Sequence, residues 1–236
     1  MTQRLRQTCF AAMLAVVAAS LAGCFELSKD ATFLENGEAR VEIEIAIAAE
    51  LAAILSNPVF KKQLGQEDAP DLLGDCGKPW PAGKPLPDGV RSVESARGKR
   101  ADMETCTFVA DVSDPVAAVA SAKEMKPSSG RHKMPPQDVS LVRLDGRPGY
   151  RLRVALKAPE LPGPPGGDAA NVGKAVLDAM FANRYLTLRV AGRRIENTNG
   201  ELSPESHRVT WRLPITTLFD PGRDQPVILE ADILYK

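Results

Sequence analysis

Between Arg40 and Ile47 the chain alternates strictly, with Val41, Ile43, Ile45 and Ile47 in one phase and Arg40, Glu42 and Glu44 in the other. That period of two predicts a strand with one buried face. Asn36-Gly37 stands just before it and favours a tight hairpin turn, so residues 25–34 are its expected partner strand. Residues 48–55 then carry helix formers, and Asn57-Pro58 breaks or restarts the helix. A second strand pair is expected at 90–97 and 103–112, followed by Asp114-Pro115 as a helix cap and first helical residue of a helix to about residue 125. A third pair, 139–144 and 150–157, turns at Asp145-Gly146, and Asp168 or Asn171 can cap a helix running to Phe181. Residues 185–190, 194–197, 208–213 and 227–234 complete a strand-rich end. Short connections favour antiparallel pairing. The predicted fold class is α+β: an antiparallel meandering sheet built from strand pairs, with helices packed on one face. The whole is expected to be a single domain over 24–236, with loose strand-strand-helix units at 25–64, 90–126 and 138–182 before the strand-rich 184–236.

The polar phase of these strands is rich in arginine. Arg151 and Arg153 oppose Leu152 and Val154, Arg208 and Arg212 oppose Val209, Trp211 and Leu213, and Arg189 stands between Leu188 and Val190. Glu42, Glu44, Glu230 and Asp232 on other strands can pair with them. The pattern reads as a solvated face of mixed charge or, more sharply, as an arginine surface for lipid phosphates.

The first residues follow a different rule. Arg4 and Arg6 precede an uncharged stretch of about 15 residues ending in Leu21-Ala22-Gly23-Cys24. A basic start and a short apolar run describe an export signal, since crossing a bilayer takes roughly 20 apolar residues. Leu-Ala-Gly-Cys resembles the lipobox of bacterial lipoproteins. The resemblance implies removal of residues 1–23 and a diacylglycerol and acyl chain on Cys24, a tether to the membrane and not a catalytic thiol. Two or three chains make such attachment stable where one does not. Phe25 occupies the position where Asp would signal inner-membrane retention, which resembles sorting to the outer membrane, facing the periplasm.

Composition narrows the rest. The 236 residues hold 30 Lys+Arg and 30 Asp+Glu for a formal charge of zero, which removes the global case for nucleic acid. Cys76 and Cys106 are the cysteines left after Cys24, and in an exported chain they are expected to form a disulfide. Closing a loop of about 30 residues adds roughly 3–4 kcal/mol in the chain-entropy model. The bridge pins a Pro-rich loop over 65–89 that surrounds Trp80.

Catalytic and metal-binding patterns are mostly missing. His132 and His207 belong to no metal-ligand spacing, and there is no Gly-x-Ser-x-Gly elbow. Residues 167–174 look like a phosphate loop, with one residue too many and Ala175 where magnesium needs a hydroxyl. Glu42/Glu44 and Glu230/Asp232 could form carboxylate pairs, but aromatic residues, at 5%, are too few for sugar platforms. No enzyme, cofactor or metal is expected.

Asn199-Gly200 followed by Val209-Thr210-Trp211 is a turn before a strand with an inward indole. This segment, with the hairpin directly after Cys24, resembles the LppM-like bacterial lipoproteins. The likeness covers residues 24–55 and 190–215 and implies an envelope lipoprotein with an α+β ectodomain and no catalytic residues. The first expectation is a domain that binds a lipid or other apolar ligand in a cleft between helices and sheet, with Trp80, Trp211, Arg151 and Arg153 as contacts. The alternatives are a scaffolding lipoprotein that docks an envelope protein and, more remotely, a hydrolase built around His132 or His207.

Overall fold

The computed structural model describes residues 25–49, 76–80, 85–124, 137–157, 184–218 and 225–236. The export signal, Cys24, the expected helices over 48–55 and 168–181, and His132 lie outside them, apart from Ala48 and Ala49.

The three predicted strand pairs form as hairpins. β1 (Phe25–Phe33) pairs with β2 (Ala39–Ala48). Gly37 closes that turn at φ +85°, a conformation that disfavours any side chain. β3 (Val90–Arg100) pairs with β4 (Met103–Val112), and β5 (Gln137–Arg143) with β6 (Gly149–Leu156). After β4 comes α1 (Pro115–Glu124), whose first amides at Val116 and Ala117 donate to the Asp114 Oδ1, the cap expected from the sequence. The remaining strands are β7 (Tyr185–Ala191), β8 (Arg194–Glu196), β9 (Glu201–Leu202), β10 (Arg208–Pro214) and β11 (Val227–Leu234), with the single turn α2 (Ile215–Leu218) after β10.

Their assembly departs from the expected single sheet under helices. A seven-stranded sheet runs β3-β4-β2-β1-β7-β10-β9, and a four-stranded sheet runs β5-β6-β11-β8. One buried cluster is shared by both, joining Phe33, Val190, Val209 and Trp211 of the first to Tyr150, Leu152, Ile195 and Ile233 of the second. The fold is therefore sheet-dominated, and among the described residues α1, packed beside β5, is the only helix longer than one turn. The physical reason lies in the strands: each sheet has one apolar face, and the two cover each other better than a ten-residue helix can cover either. The second departure is β1 with β7, the one parallel pair among the described strands.

The side chains of Tyr150 and Asn199 bridge the sheets. The Tyr150 hydroxyl of β6 donates to the Gly37 carbonyl at 2.7 Å, and its buried ring packs at a tilt against Phe33 of β1, centroids 5.3 Å apart. Burial pushes the Tyr150 pKa above its ordinary value. The Asn199 amide oxygen accepts from the Trp211 indole at 2.8 Å and from the Glu230 amide at 3.0 Å, while its nitrogen donates to the Ile228 carbonyl. Gly200 beside it is needed for space, because a Cβ there would lie 2.5 Å from Val209 and 2.7 Å from the indole nitrogen. A disulfide joins Cys76 to Cys106 on β4, with a Cα separation of 5.8 Å.

Candidate functional site

The inner face of the seven-stranded sheet is assembled by register. Phe33, Ala31 and Lys29 of β1 stand beside Ala39, Val41 and Ile43 of β2. On the other side Lys29 and Ala31 stand beside Leu188 and Val190 of β7. Leu141 of β5, Leu152 and Val154 of β6 and Leu229 of β11 face them from the four-stranded sheet, and Ala118 and Val119 of α1 close one side. These surfaces do not meet everywhere. They leave a cavity of about 280 Å³ whose lining, among the described residues, is apolar except for Lys29. Tight packing is the norm for protein interiors, so a volume of that size between two well-formed faces is unusual and fits a ligand pocket.

Lys29 belongs to the inward phase of β1. Burial lowers its pKa from the ordinary 10.5, because removing an ammonium from water disfavours the charged form.

The opposite face of the same strands carries a second, polar cleft of about 550 Å³, lined among others by Glu26, Glu44, Arg100, Arg184, Arg189 and Arg212. Its charges are largely matched within it. Arg100 reaches Glu26 at 2.6 Å and Glu44 at 3.3 Å, Arg184 reaches Glu26 at 3.0 Å, and Arg189 reaches Asp30 at 3.0 Å. The Arg212 guanidinium lies over the Tyr185 ring, with its Cζ 3.8 Å from the ring centre. The Arg100 pKa is raised first by its hydrogen bond to Glu26.

The four residues expected to contact a ligand are not gathered here, and none lines the cavity. Trp211 is buried in the shared core with its indole N–H bound to Asn199. Trp80 is half-buried in the short segment after Cys76. Arg151 and Arg153 point outward from β6, as their phase predicts, but β11 places a carboxylate opposite each. Arg151 holds Asp232 through two bonds of 2.7 and 2.9 Å, and Arg153 meets Glu230 at 3.0 Å. The Asp232 carboxyl, buried and also bound by Asn197, is held below the usual carboxylate range, chiefly by the Arg151 hydrogen bond. The solvated face of mixed charge is thus the arrangement of that sheet. Among the described residues the cavity lies between the two sheets with α1 as one wall, and the other expected helices lie outside those residues.

Lys29 was missed, although its phase was legible: Leu27, Lys29, Ala31 and Phe33 alternate with Glu26, Ser28, Asp30 and Thr32. His207 is exposed, with its Nδ1 against the Arg193 carbonyl, and lines neither cleft. Among the described residues no group of three or more His, Cys, Asp or Glu side chains could hold a metal, and no helix is long and apolar enough to cross a membrane.

No known protein-family model matches this sequence, and no curated protein matches it. Among solved structures it is similar to the folded domain of the LppM protein of Mycobacterium tuberculosis, determined by NMR, over 90% of this chain and 91% of that one, at 15% identity and a TM-score of 0.45. No residue role is carried over from it.

Proposed function

We propose that this protein is a lipid-anchored component of a bacterial envelope whose two-sheet domain binds a lipid acyl chain between the sheets. The observation that carries the reading is the inter-sheet cavity, deep in apolar side chains and walled by both sheets and α1. Its 280 Å³ is close to the lower end of ordinary ligand pockets, roughly 300 Å³. The tether is supported by Leu21-Ala22-Gly23-Cys24, which ends one residue before β1 begins. Such a short spacing holds the domain against the membrane surface, where exchange of an acyl chain with the bilayer needs only a short path. Phe25 after Cys24 supports the outer membrane as the address, with the domain in the periplasm.

Organic extraction of the purified protein followed by mass spectrometry tests the reading, together with uptake of a neutral fluorescent apolar probe. The expected result is a co-purifying acyl lipid in addition to the covalent chains, and probe uptake that falls at least about tenfold in Ala31→Phe, which fills the space. No bound lipid and no probe uptake by a folded wild-type protein overturns it.

A further inference from the structure

Topology gathers arginines at one end of the seven-stranded sheet. β1 and β7 run parallel and begin at that end, β2 and β10 run the other way and finish there, and β3, antiparallel to β4, finishes there as well. Glu26 on β1, Arg184 just ahead of β7, Arg212 near the end of β10 and Arg100 at the end of β3 therefore converge in the polar cleft. The same end is where the chain arrives from Cys24. Glu26 is the second residue after that cysteine, and two residues of extended chain reach at most about 7 Å.

Glu26 serves both Arg100 and Arg184, Glu44 adds a longer contact to Arg100, and Asp30 holds Arg189. Arg212 is exposed and rests against the Tyr185 ring. Among the described residues these four arginines face three carboxylates, which leaves one positive charge in surplus. Thr187 and Thr210 line the same wall and add hydroxyl donors.

Resting on the reading that Cys24 carries a lipid anchor, and independent of what fills the inner cavity, we propose that this cleft docks on the anchoring bilayer. It takes the phosphodiester of an anionic phospholipid, with Arg212 as the chief contact. The forked donors of arginine fit phosphate oxygens, and a surplus of one positive charge matches the single charge of a phosphodiester. The tether keeps this end of the sheet close to the headgroups, because its reach is no longer than the Debye length of about 8 Å at physiological salt. Tyr185, an aromatic ring with a polar tip, suits the same boundary. A soluble phosphate compound offers the cleft similar oxygens without the local concentration that a tether supplies.

Arginine labelling by phenylglyoxal, read residue by residue by mass spectrometry, locates the contact in the protein as processed and purified from cells. The protein is floated with vesicles of phosphatidylcholine, alone or mixed with phosphatidylglycerol, and then labelled. Arg208 is the internal reference: it shares the outward phase of Arg212 on β10 but stands four residues, about 13 Å, toward the opposite end. Labelling of Arg212 is expected to be about fivefold slower in the anionic vesicles than in the neutral ones, with Arg208 changing by less than about twofold. High salt is expected to abolish the difference. Equal labelling of Arg212 in the two vesicles, or slowing of Arg208 as large as that of Arg212, overturns the docking and leaves the anchor standing. Equal slowing by soluble glycerol 3-phosphate over neutral vesicles assigns the cleft to a free phosphate compound and overturns the membrane as its partner. Protein that does not float with neutral vesicles overturns the anchor, and this proposal with it.

Discussion

β1, β7 and β10 present two faces that treat charge in opposite ways. Outward, Arg189 pairs with Asp30 and Arg100 and Arg184 share Glu26, all in contact with solvent. Inward, Lys29 stands between Ile43 and Leu188 and lines an apolar cavity. The two faces are one residue apart along the strand, yet a charge on one is screened by water and on the other is not. Exposed ion pairs of this kind hold at most about 1 kcal/mol each, so their number says little about function. The pKa shifts follow the same divide: burial lowers that of Lys29 on the inward face, and the hydrogen bond to Glu26 raises that of Arg100 on the outward one.

Substitutions along β10 test that contrast most severely. Val209 is fully buried and Thr210 is not. Val209→Asp is expected to lose about 4 kcal/mol or more, and Thr210→Asp to stay within about 1 kcal/mol, in denaturant unfolding. Comparable losses for both would mean the two faces are not distinct. Asp232 sharpens the comparison, because it lies on the outward face of the four-stranded sheet and is nevertheless 2% exposed. Asp232→Ala is expected to lose about 2 kcal/mol at neutral pH, from the bonds to Arg151 and Asn197. With its folded-state pKa below the ordinary 3.8, this contribution is complete above that value and disappears as the pH falls through the lower, folded value. An acid limb of unfolding that is unchanged in Asp232→Ala counts against the assignment.

Lys29→Met is the inner-face counterpart, with the opposite sign. In lipid-free protein at neutral pH it is expected to raise stability by about 1 kcal/mol, seen as a higher Tm. The folded-state pKa of Lys29 lies below 10.5, so the burial penalty is present below the folded value. Wild-type stability regains it as the pH rises from there to 10.5, and the advantage of the variant shrinks over the same interval. A loss of stability in Lys29→Met would mean that the cavity face accommodates the charge as readily as the outer one. Arg189→Ala gives the smallest effect, within about 1 kcal/mol and smaller still at high salt, measured by the same unfolding experiment at two ionic strengths.

Much of this arrangement was legible from alternation alone. The three hairpins, the Asp114 cap and the outward direction of Arg151 and Arg153 follow from local phase and turn chemistry, which act over a few residues. Asn199 shows where such reading stops. As a residue it looks like half of an Asn-Gly turn, but its amide joins Trp211 on β10 to β11, and nothing in the neighbouring residues names that second strand. Trp211 likewise could have lined a cleft or filled a core, and the contact with Asn199 and Gly200 decides for the core.

The sequence by itself determined which residues form strands, which face of each is apolar, where the hairpins turn, and which cysteines could meet. Those properties depend on residues within a turn or two of each other. Tertiary structure decided that β1 pairs in parallel with β7, that the strands divide into two sheets with a cavity between them, and that Arg151 faces Asp232 while Lys29 faces apolar side chains. Those outcomes depend on register between segments far apart in the chain, where many pairings satisfy the same alternation and only the packing of the whole selects one.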